Sequence, residues 1–317
     1  MLTPIQKGVF KVLFVEATQV FYRRCVALNL ANSTIKSYRK NLEDFIHFID
    51  SEGLSKDISK VTGDIVLSYL AYLRRKNLEA ITIAGRYTAL RSFFNYLVQA
   101  DYLPQSPLKG LKKPKVPKRH ARTFTSQEVT LILNDFDKTT FVGYRNYTIM
   151  CMLLGTGMRK AELLGLTLLD VHFTENFITV IGKGNKERYI PISVYLQKVL
   201  KKYVSEREKL CKGATAFTPA LIVNDEGNKL SVHGLDTVFR NLKRDLAIPK
   251  GRLSAHTWRH TFAKSFLLNG GDVFTLQRLL GHEDISTTQI YIDFTANELK
   301  TQNDKYNPLD NTRWQYY

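Results

Sequence analysis

The chain has 317 residues, 44% of them hydrophobic, including 18 Phe and 16 Tyr. This composition excludes an intrinsically disordered protein, and the length favours two domains. The 46 Lys and Arg against 29 Asp and Glu give a formal net charge of +17. That charge indicates a polyanionic partner, with nucleic acid as the first candidate and an anionic membrane surface as the second.

No apolar run approaches the ~20 residues that span a bilayer, and the N-terminus does not have the pattern of a signal peptide. The three cysteines (Cys25, Cys151 and Cys211) are far apart and lack metal-ligand spacing. We therefore expect a cytoplasmic protein with reduced thiols, no membrane association and no metal site.

Residues 1–107 are predicted to form an almost entirely helical domain, because apolar residues recur there at helical spacing. The three stripes are Ile35, Tyr38, Leu42, Phe45, Ile46 and Ile49; Ile65, Tyr69, Tyr72 and Leu73; and Tyr87, Leu90, Phe93, Phe94 and Leu97. Thr62 is a candidate N-cap for the second stripe. Basic residues accompany the stripes at Lys36, Arg39, Lys40, Arg86 and Arg91. A single basic face is typically only solvated, but the repeated positive sign favours a surface that meets DNA.

Residues 108–122 are predicted to be a linker between two domains. They contain Pro114 and Pro117 and no acidic residue. The basic residues that we assign to DNA contact here are Lys112, Lys113, Lys115, Lys118 and Arg119. Proline keeps such a segment extended, and the positive charges favour a path along phosphates over an ordinary solvated linker.

The second predicted domain, residues 123–317, opens with a capping-box pattern at Thr125 and Glu128. An apolar helix from 147 to 154 then ends at a Gly-Thr-Gly turn, and Arg159 begins the next helix. A guanidinium at a helix N-terminus lies where anions are favoured. Glu162, three residues on, can hold that guanidinium from behind, although Arg-x-x-Glu alone is a weak pattern and is more typical of a surface ion pair.

Residues 176–192 alternate like a β-hairpin, with a Gly-Lys-Gly-Asn turn that places Lys183 at the tip. A basic helix over 195–210, a short extended segment at 221–223 and a helix over 231–246 are predicted to follow. In the last helix, Arg240, Lys243 and Arg244 are candidate phosphate contacts. One more helix is predicted to run to about residue 306.

The stretch from His256 to Tyr291 carries the strongest chemical pattern. His256 and Arg259 are three residues apart and share a helix face, and two glycines at 270–271 end that helix. A second helix leads to His282, and Ser286 with Gln289 forms a capping-box pattern that places Tyr291 in the first turns of a short helix. These residue types suit phosphoryl chemistry. An arginine can neutralise phosphate oxygens, histidines can give and take protons, and a phenol can act as the nucleophile.

The ordered set of Arg159, His256, Arg259, His282 and Tyr291 resembles the tyrosine recombinase (phage-integrase) family over about residues 15 to 300. Arg159 matches the first arginine box, and Tyr291 follows the Leu-Gly-His motif by nine residues. The hairpin and the small size are similar to Xer-type recombinases and compact integrases of mobile elements.

This resemblance implies a mechanism without a metal or another cofactor. Tyr291 would attack a backbone phosphate and form a 3′-phosphotyrosyl link, while Arg159 and Arg259 stabilise the phosphate charge. His256 and His282 would hydrogen-bond the same phosphate or shuttle the tyrosine proton. A hairpin lysine would protonate the leaving 5′-oxygen, with Lys183 the first choice and Lys186 the second.

The resemblance also implies a fold and partners. We expect a mainly α (α+β) chain, with an N-terminal helical, SAM-like core-binding domain and a mostly helical catalytic domain that contains a small antiparallel sheet. The two domains would form a C-shaped clamp around double-stranded DNA, and four copies would assemble through the C-terminal tail. Two other functions remain open: a DNA-relaxing enzyme like the type IB topoisomerases, and a DNA-binding module that has lost catalysis.

Overall fold

A computed structural model describes residues 12–117, 122–182, 186–212, 218–246 and 253–306. The chain divides into two compact units, residues 1–119 and 120–317. The predicted site residues Lys118, Arg119 and Lys183, and the C-terminal tail beyond residue 306, lie outside the described residues.

The first unit is helical throughout its described length. Its elements are α1 (Phe14–Ala27), α2 (Asn32–Ser51), a 3₁₀ helix (Ile58–Lys60), α3 (Gly63–Arg75) and α4 (Ala80–Gln99). Aromatic rings dominate its core, where Phe14, Phe21, Phe45, Phe93 and Phe94 are fully buried and pack mainly edge to face. These are the apolar positions of the predicted stripes, together with Phe14 and Phe21 from α1, and their burial drives the helices together.

The second unit combines nine described helices with one small sheet. The helices are α5 (Ser126–Asn134), α6 (Phe141–Thr156), α7 (Lys160–Gly165), α8 (Val194–Cys211), α9 (Val232–Asp245), α10 (Ala255–Leu268), α11 (Val273–Leu280), α12 (Ser286–Gln289) and α13 (Ala296–Tyr306). A 3₁₀ helix (Leu168–Asp170) precedes the strands β1 (Val171–His172), β2 (Phe177–Ile181) and β3 (Glu187–Pro191). The strands are antiparallel in the order β1-β2-β3, and Ile178 pairs with Ile190.

Helix α6 is the centre of this unit and packs against α8 and α10. Residues 147–153 are buried all round the helix, with Ile149, Met150 and Met152 fully buried, as expected of a segment surrounded by other helices. Trp258 of α10 is likewise fully buried and contacts the ring of Phe124 at 4.8 Å between centroids. This packing fixes α10, which carries two of the predicted site residues.

The predicted fold class is confirmed: the chain is mainly α with a small antiparallel sheet. The predicted caps at Thr62 and Thr125 are present, and Glu128 completes the capping box with Thr125. Helix α10 ends before Gly270, which has a φ of +97°. Within the described ranges, no helix is long and apolar enough to cross a membrane.

Two local predictions near Tyr291 are wrong. Ser286 does not cap α12; instead its own N–H donates to the Asp284 carboxylate at 2.8 Å. The ionised Asp284 carboxylate is a stronger acceptor for the Ser286 N–H than the side-chain amide of Gln289, which the predicted capping box would use. Helix α12 is also short and ends at Gln289, so Tyr291 lies just beyond it.

Candidate active site

Arg159 is positioned by the turn between α6 and α7. Gly157 adopts a left-handed conformation (φ +61°) that ends α6, and Arg159 becomes the N-cap residue of α7. Its guanidinium donates to the carbonyl oxygens of Leu280 (3.3 Å) and Gly281 (3.4 Å). The side chain is 42% exposed, so Arg159 joins two segments that are far apart in sequence and still faces solvent.

Glu162 holds Arg159 in place, as the sequence predicts. The backbone N–H of Arg159 donates to one carboxylate oxygen at 2.7 Å, and its guanidinium donates to the other at 2.8 Å. The carboxylate is 5% exposed. Burial alone would raise its pKa, but the hydrogen bonds from Arg188 and from the Arg159 backbone outweigh burial and bring the pKa to about 2.

Arg188 is a component of the site that the sequence analysis missed. It projects from β3 and donates two N–H groups to Glu162, at 2.9 and 2.8 Å, and a third to the carbonyl of Leu279 at 2.8 Å. Its side chain is 11% exposed. Arg188 therefore fastens the hairpin to both α7 and the end of α11.

Arg259 is the more buried of the two predicted phosphate-binding arginines. It is 3% exposed and donates to the carbonyls of Gly157 and Leu280, each at 2.8 Å. Burial and the nearby Arg159 lower its pKa to about 10, so it remains charged at neutral pH. Because Arg159 donates to the same Leu280 carbonyl, the two guanidinium groups converge.

His282 is bound through both ring nitrogens. Its Nε2 lies 2.8 Å from a guanidinium nitrogen of Arg259, and its Nδ1 lies 2.8 Å from the hydroxyl of Thr288. Since Arg259 can only donate, Nε2 accepts and the ring proton is on Nδ1. Burial, reinforced by Arg259, lowers the pKa of His282 to about 4, so the ring is neutral at neutral pH.

Tyr291 is buried beside the arginines. It is 3% exposed, and its hydroxyl lies 3.0 Å from Nδ1 of His260. Burial raises the pKa of this phenol, and the positive charge of Arg259 partly opposes the rise. Tyr291 therefore lies in the same site as Arg259 and His282.

His256 packs against a second histidine of α10. It is exposed, and its ring packs edge to face against His260 with 4.0 Å between centroids. His260, which the sequence analysis did not select, contacts the phenol instead. Its spacing of four residues from His256 was the available signal, since residues four apart share a helix face.

An open cleft of about 420 Å³ lies next to Arg159. Its lining includes Gly182, Lys186, Arg188, His282 and Thr287. Lys186, the second choice for the proton donor, is exposed and forms an ion pair with Glu283 at 2.9 Å across this cleft. One wall therefore comes from the hairpin and the other from the segment that follows α11.

The candidate DNA contacts differ in their exposure. Those exposed in the described structure are Lys36, Arg39, Lys40, Arg91, Lys112, Lys113, Lys115, Arg240 and Arg244, while Lys243 is half-buried. Arg86 is mostly buried, is paired with Asp44 and donates to the carbonyl of Lys40. Its charge is therefore held inside the helical unit.

The sequence profile of the Phage integrase family matches residues 122–298, and that of the phage integrase N-terminal SAM-like domain matches residues 25–101. Tyrosine recombinase XerD of Halalkalibacterium halodurans is 34% identical over 89% of this chain and 94% of its own length. Tyrosine recombinase XerC of Oceanobacillus iheyensis is also 34% identical, over 89% and 92%.

Two solved structures share the fold, each with a TM-score of 0.72 and 20% identity. One is the XerH site-specific recombinase bound to a palindromic difH substrate, which aligns over 92% of this chain and 84% of its own. The other is the Tn1549 transposon integrase in complex with transposon right end DNA, which aligns over 93% and 99%.

The helical fold, the paired arginines and these matches define a DNA strand-exchange enzyme, and the chain belongs to the phage integrase family. It is a tyrosine-type site-specific DNA recombinase, and its partner is DNA.

Proposed function

We propose that Tyr291 is the nucleophile that cuts and rejoins DNA through a 3′-phosphotyrosyl intermediate. The observation that carries this proposal is the position of its buried phenol, which contacts His260, the residue next to Arg259, while the Arg259 and Arg159 guanidinium groups converge on the Leu280 carbonyl. Two cations beside a phenol oxygen suit a phosphate whose charge grows as the nucleophile attacks.

Arg159 and Arg259 would bind the non-bridging phosphate oxygens. Arg159 is the more exposed and would meet the DNA first, while buried Arg259 is preorganised by two carbonyls and His282. His282 is aligned by Thr288 and would contact the same phosphate. The hydrogen bonds are in place before DNA binds, so little reorganisation is needed in the transition state.

The leaving 5′-oxygen requires a proton, because an alkoxide is a poor leaving group. We propose Lys183 as this acid and Lys186 as the alternative, on the basis of the hairpin motif. A DNA in which sulfur replaces the bridging 5′-oxygen needs no acid, since a thiolate leaves readily. Such a substrate should restore cleavage by the Lys183→Met variant. If it restores cleavage only by Lys186→Met, the general acid is Lys186.

We also propose a biological task and an assembly. Since two Xer-named relatives are 34% identical to this chain over most of both lengths, we favour resolution of chromosome dimers in the cytoplasm over movement of an element. Strand exchange between two double-stranded sites would use four copies, joined through the tail beyond residue 306. A truncation after Tyr306 should then bind a single site and fail to form the four-subunit complex by mass photometry.

The test of the nucleophile starts from DNA that the protein selects from a random pool. A nicked duplex of the selected sequence traps the covalent adduct, because the short strand diffuses away. Tyr291→Phe should give no adduct, and Tyr189→Phe, which changes an exposed tyrosine on β3, should give the wild-type amount. An adduct with Tyr291→Phe would overturn the proposal.

A further inference from the structure

We propose that His260 is the base that accepts the proton of Tyr291 during DNA cleavage and returns it during rejoining. The inference rests on the proposed role of Tyr291 as nucleophile. It assigns the proton transfer to a histidine outside the set defined by the motif, which offers His256 and His282 for that task.

The geometry distinguishes the three histidines. His260 Nδ1 lies 3.0 Å from the Tyr291 hydroxyl. His282 is occupied at both nitrogens by Arg259 and Thr288. His256 is exposed and contacts the ring of His260. Among the described residues, His260 is thus the histidine in direct contact with the phenol.

The proposal requires one tautomer of His260. Burial lowers the pKa of the ring to about 4, so at neutral pH one ring nitrogen carries a proton and the other has a free lone pair. For Nδ1 to accept the hydrogen of the phenol 3.0 Å away, the ring proton must be on Nε2.

The surroundings keep this ring neutral. Burial, together with His256 and Arg259 on its own helix and His282 from the segment after α11, lowers the pKa of His260 to about 4. A bound DNA phosphate would neutralise part of the charge on Arg259 and raise that pKa again. The base would thus become stronger when a substrate is present.

The step balances as follows. The phenol O–H bond breaks as the bond from the Tyr291 oxygen to phosphorus forms, and the proton moves to His260 Nδ1. The bond from phosphorus to the 5′-oxygen breaks, and that oxygen takes a proton from the hairpin lysine proposed above as the acid. Rejoining reverses both transfers, and protonated His260 returns its proton to the departing phenolate.

The experiment measures single-turnover cleavage of the selected nicked duplex between pH 5 and 10. His260→Asn and His260→Gln keep polar side chains of similar size without a basic nitrogen. We expect cleavage to slow by about 100-fold at pH 7, with a defect that narrows as hydroxide ionises the phenol at high pH. Added imidazole should partly rescue His260→Ala. The control His233→Asn, which changes an exposed histidine on α9, should cleave at the wild-type rate.

Three results would overturn the role of His260. One is cleavage within about threefold of wild type at every pH; another is an equal defect at every pH without rescue by imidazole, which would indicate positioning only. The third is available in the wild-type protein even if the variants fold poorly: a ¹⁵N spectrum that shows the His260 proton on Nδ1. Failure of the underlying nucleophile assignment is recognised separately, because Tyr291→Phe would then still form an adduct.

Discussion

The carboxylate of Glu162 accepts two hydrogen bonds from Arg188, at 2.9 and 2.8 Å, in a buried, two-pronged ion pair. The same carboxylate binds Arg159, which faces the open cleft. Arg188 therefore stabilises the charge that orients a proposed phosphate-binding residue. Two-pronged pairs of this kind fix geometry as well as charge.

Replacing Arg188 by Met should leave Glu162 buried with a single partner. Losing one partner of a buried pair costs about 3–5 kcal/mol in the free energy of unfolding, so we expect a loss of about 3 kcal/mol. The rate of cleavage should fall at least tenfold, because Arg159 loses its fixed support. Urea unfolding and adduct formation measure the two effects.

The matched control for Arg188 is Lys209→Met. Lys209 pairs with Glu206 at 2.8 Å, but its side chain is 67% exposed. The expected change in unfolding free energy is below about 1 kcal/mol. Equal losses for the two variants would show that the buried pair carries no special stability.

The pKa of Glu162 predicts how stability depends on pH. Its folded pKa of about 2 lies below its ordinary value of 4.5, so its contribution is fully present above about pH 5. That contribution is lost as the pH falls through 4 towards 2. The difference in unfolding free energy between wild type and Glu162→Gln should therefore be constant at neutral pH and shrink below pH 4. A difference that stays constant down to pH 2 would contradict the pairing.

Local signals in the sequence predicted much of this fold. The apolar stripes and the capping box of Thr125 with Glu128 involve residues three or four apart, and they were found correctly. The predicted capping box of Ser286 with Gln289 was wrong, because the Asp284 carboxylate accepts the Ser286 N–H that the Gln289 side chain was expected to bind. Local patterns therefore suffice where one acceptor is available and fail where two compete.

Long-range contacts were not predictable from spacing. Arg188 is 26 residues from Glu162, and Arg259 is 102 residues from Gly157. Nothing in the alternation of β3 distinguishes a buried arginine from a solvated one. The motif identified the candidate reactive side chains, but the residues that hydrogen-bond to them are distant in sequence and are set by the tertiary fold.

Removing the hydroxyl of Thr288 should misalign His282. Thr288 is fully buried and accepts the Nδ1 proton of His282. In Thr288→Val that donor has no partner, which costs about 1–2 kcal/mol and allows the ring to rotate. We expect cleavage to fall about tenfold with DNA affinity unchanged. Thr301→Val, at an exposed position on α13, should leave the rate unaltered, and an unaltered rate in Thr288→Val would remove the hydroxyl from the site.

Gly157 should not tolerate a side chain. Its φ is +61°, and an added Cβ would lie 2.3 Å from Cδ1 of Phe262. Its carbonyl also holds Arg259. Gly157→Ala should therefore lower the unfolding free energy by about 1–3 kcal/mol and slow cleavage.

The control for this glycine is Gly165→Ala at the end of α7. No atom lies within 4 Å of the Cβ it would gain. Since alanine favours a helix, its unfolding free energy should stay the same or rise by up to about 1 kcal/mol. Similar losses in both variants would contradict the importance of the turn at Gly157.

The basic residues of the first unit should fall into two groups, those whose substitution weakens DNA binding and those whose substitution lowers the unfolding free energy. Lys36 and Lys40 are exposed, so Lys→Gln at either position should weaken DNA binding and reduce the slope of log affinity against log salt by about 0.9 if it contacts a phosphate. Arg86 is paired with Asp44, and its side chain is 11% exposed. Arg86→Gln should instead lower the unfolding free energy by about 1 kcal/mol and leave the salt slope unchanged. A reduced slope for Arg86→Gln would mean that Arg86 leaves Asp44 to bind DNA.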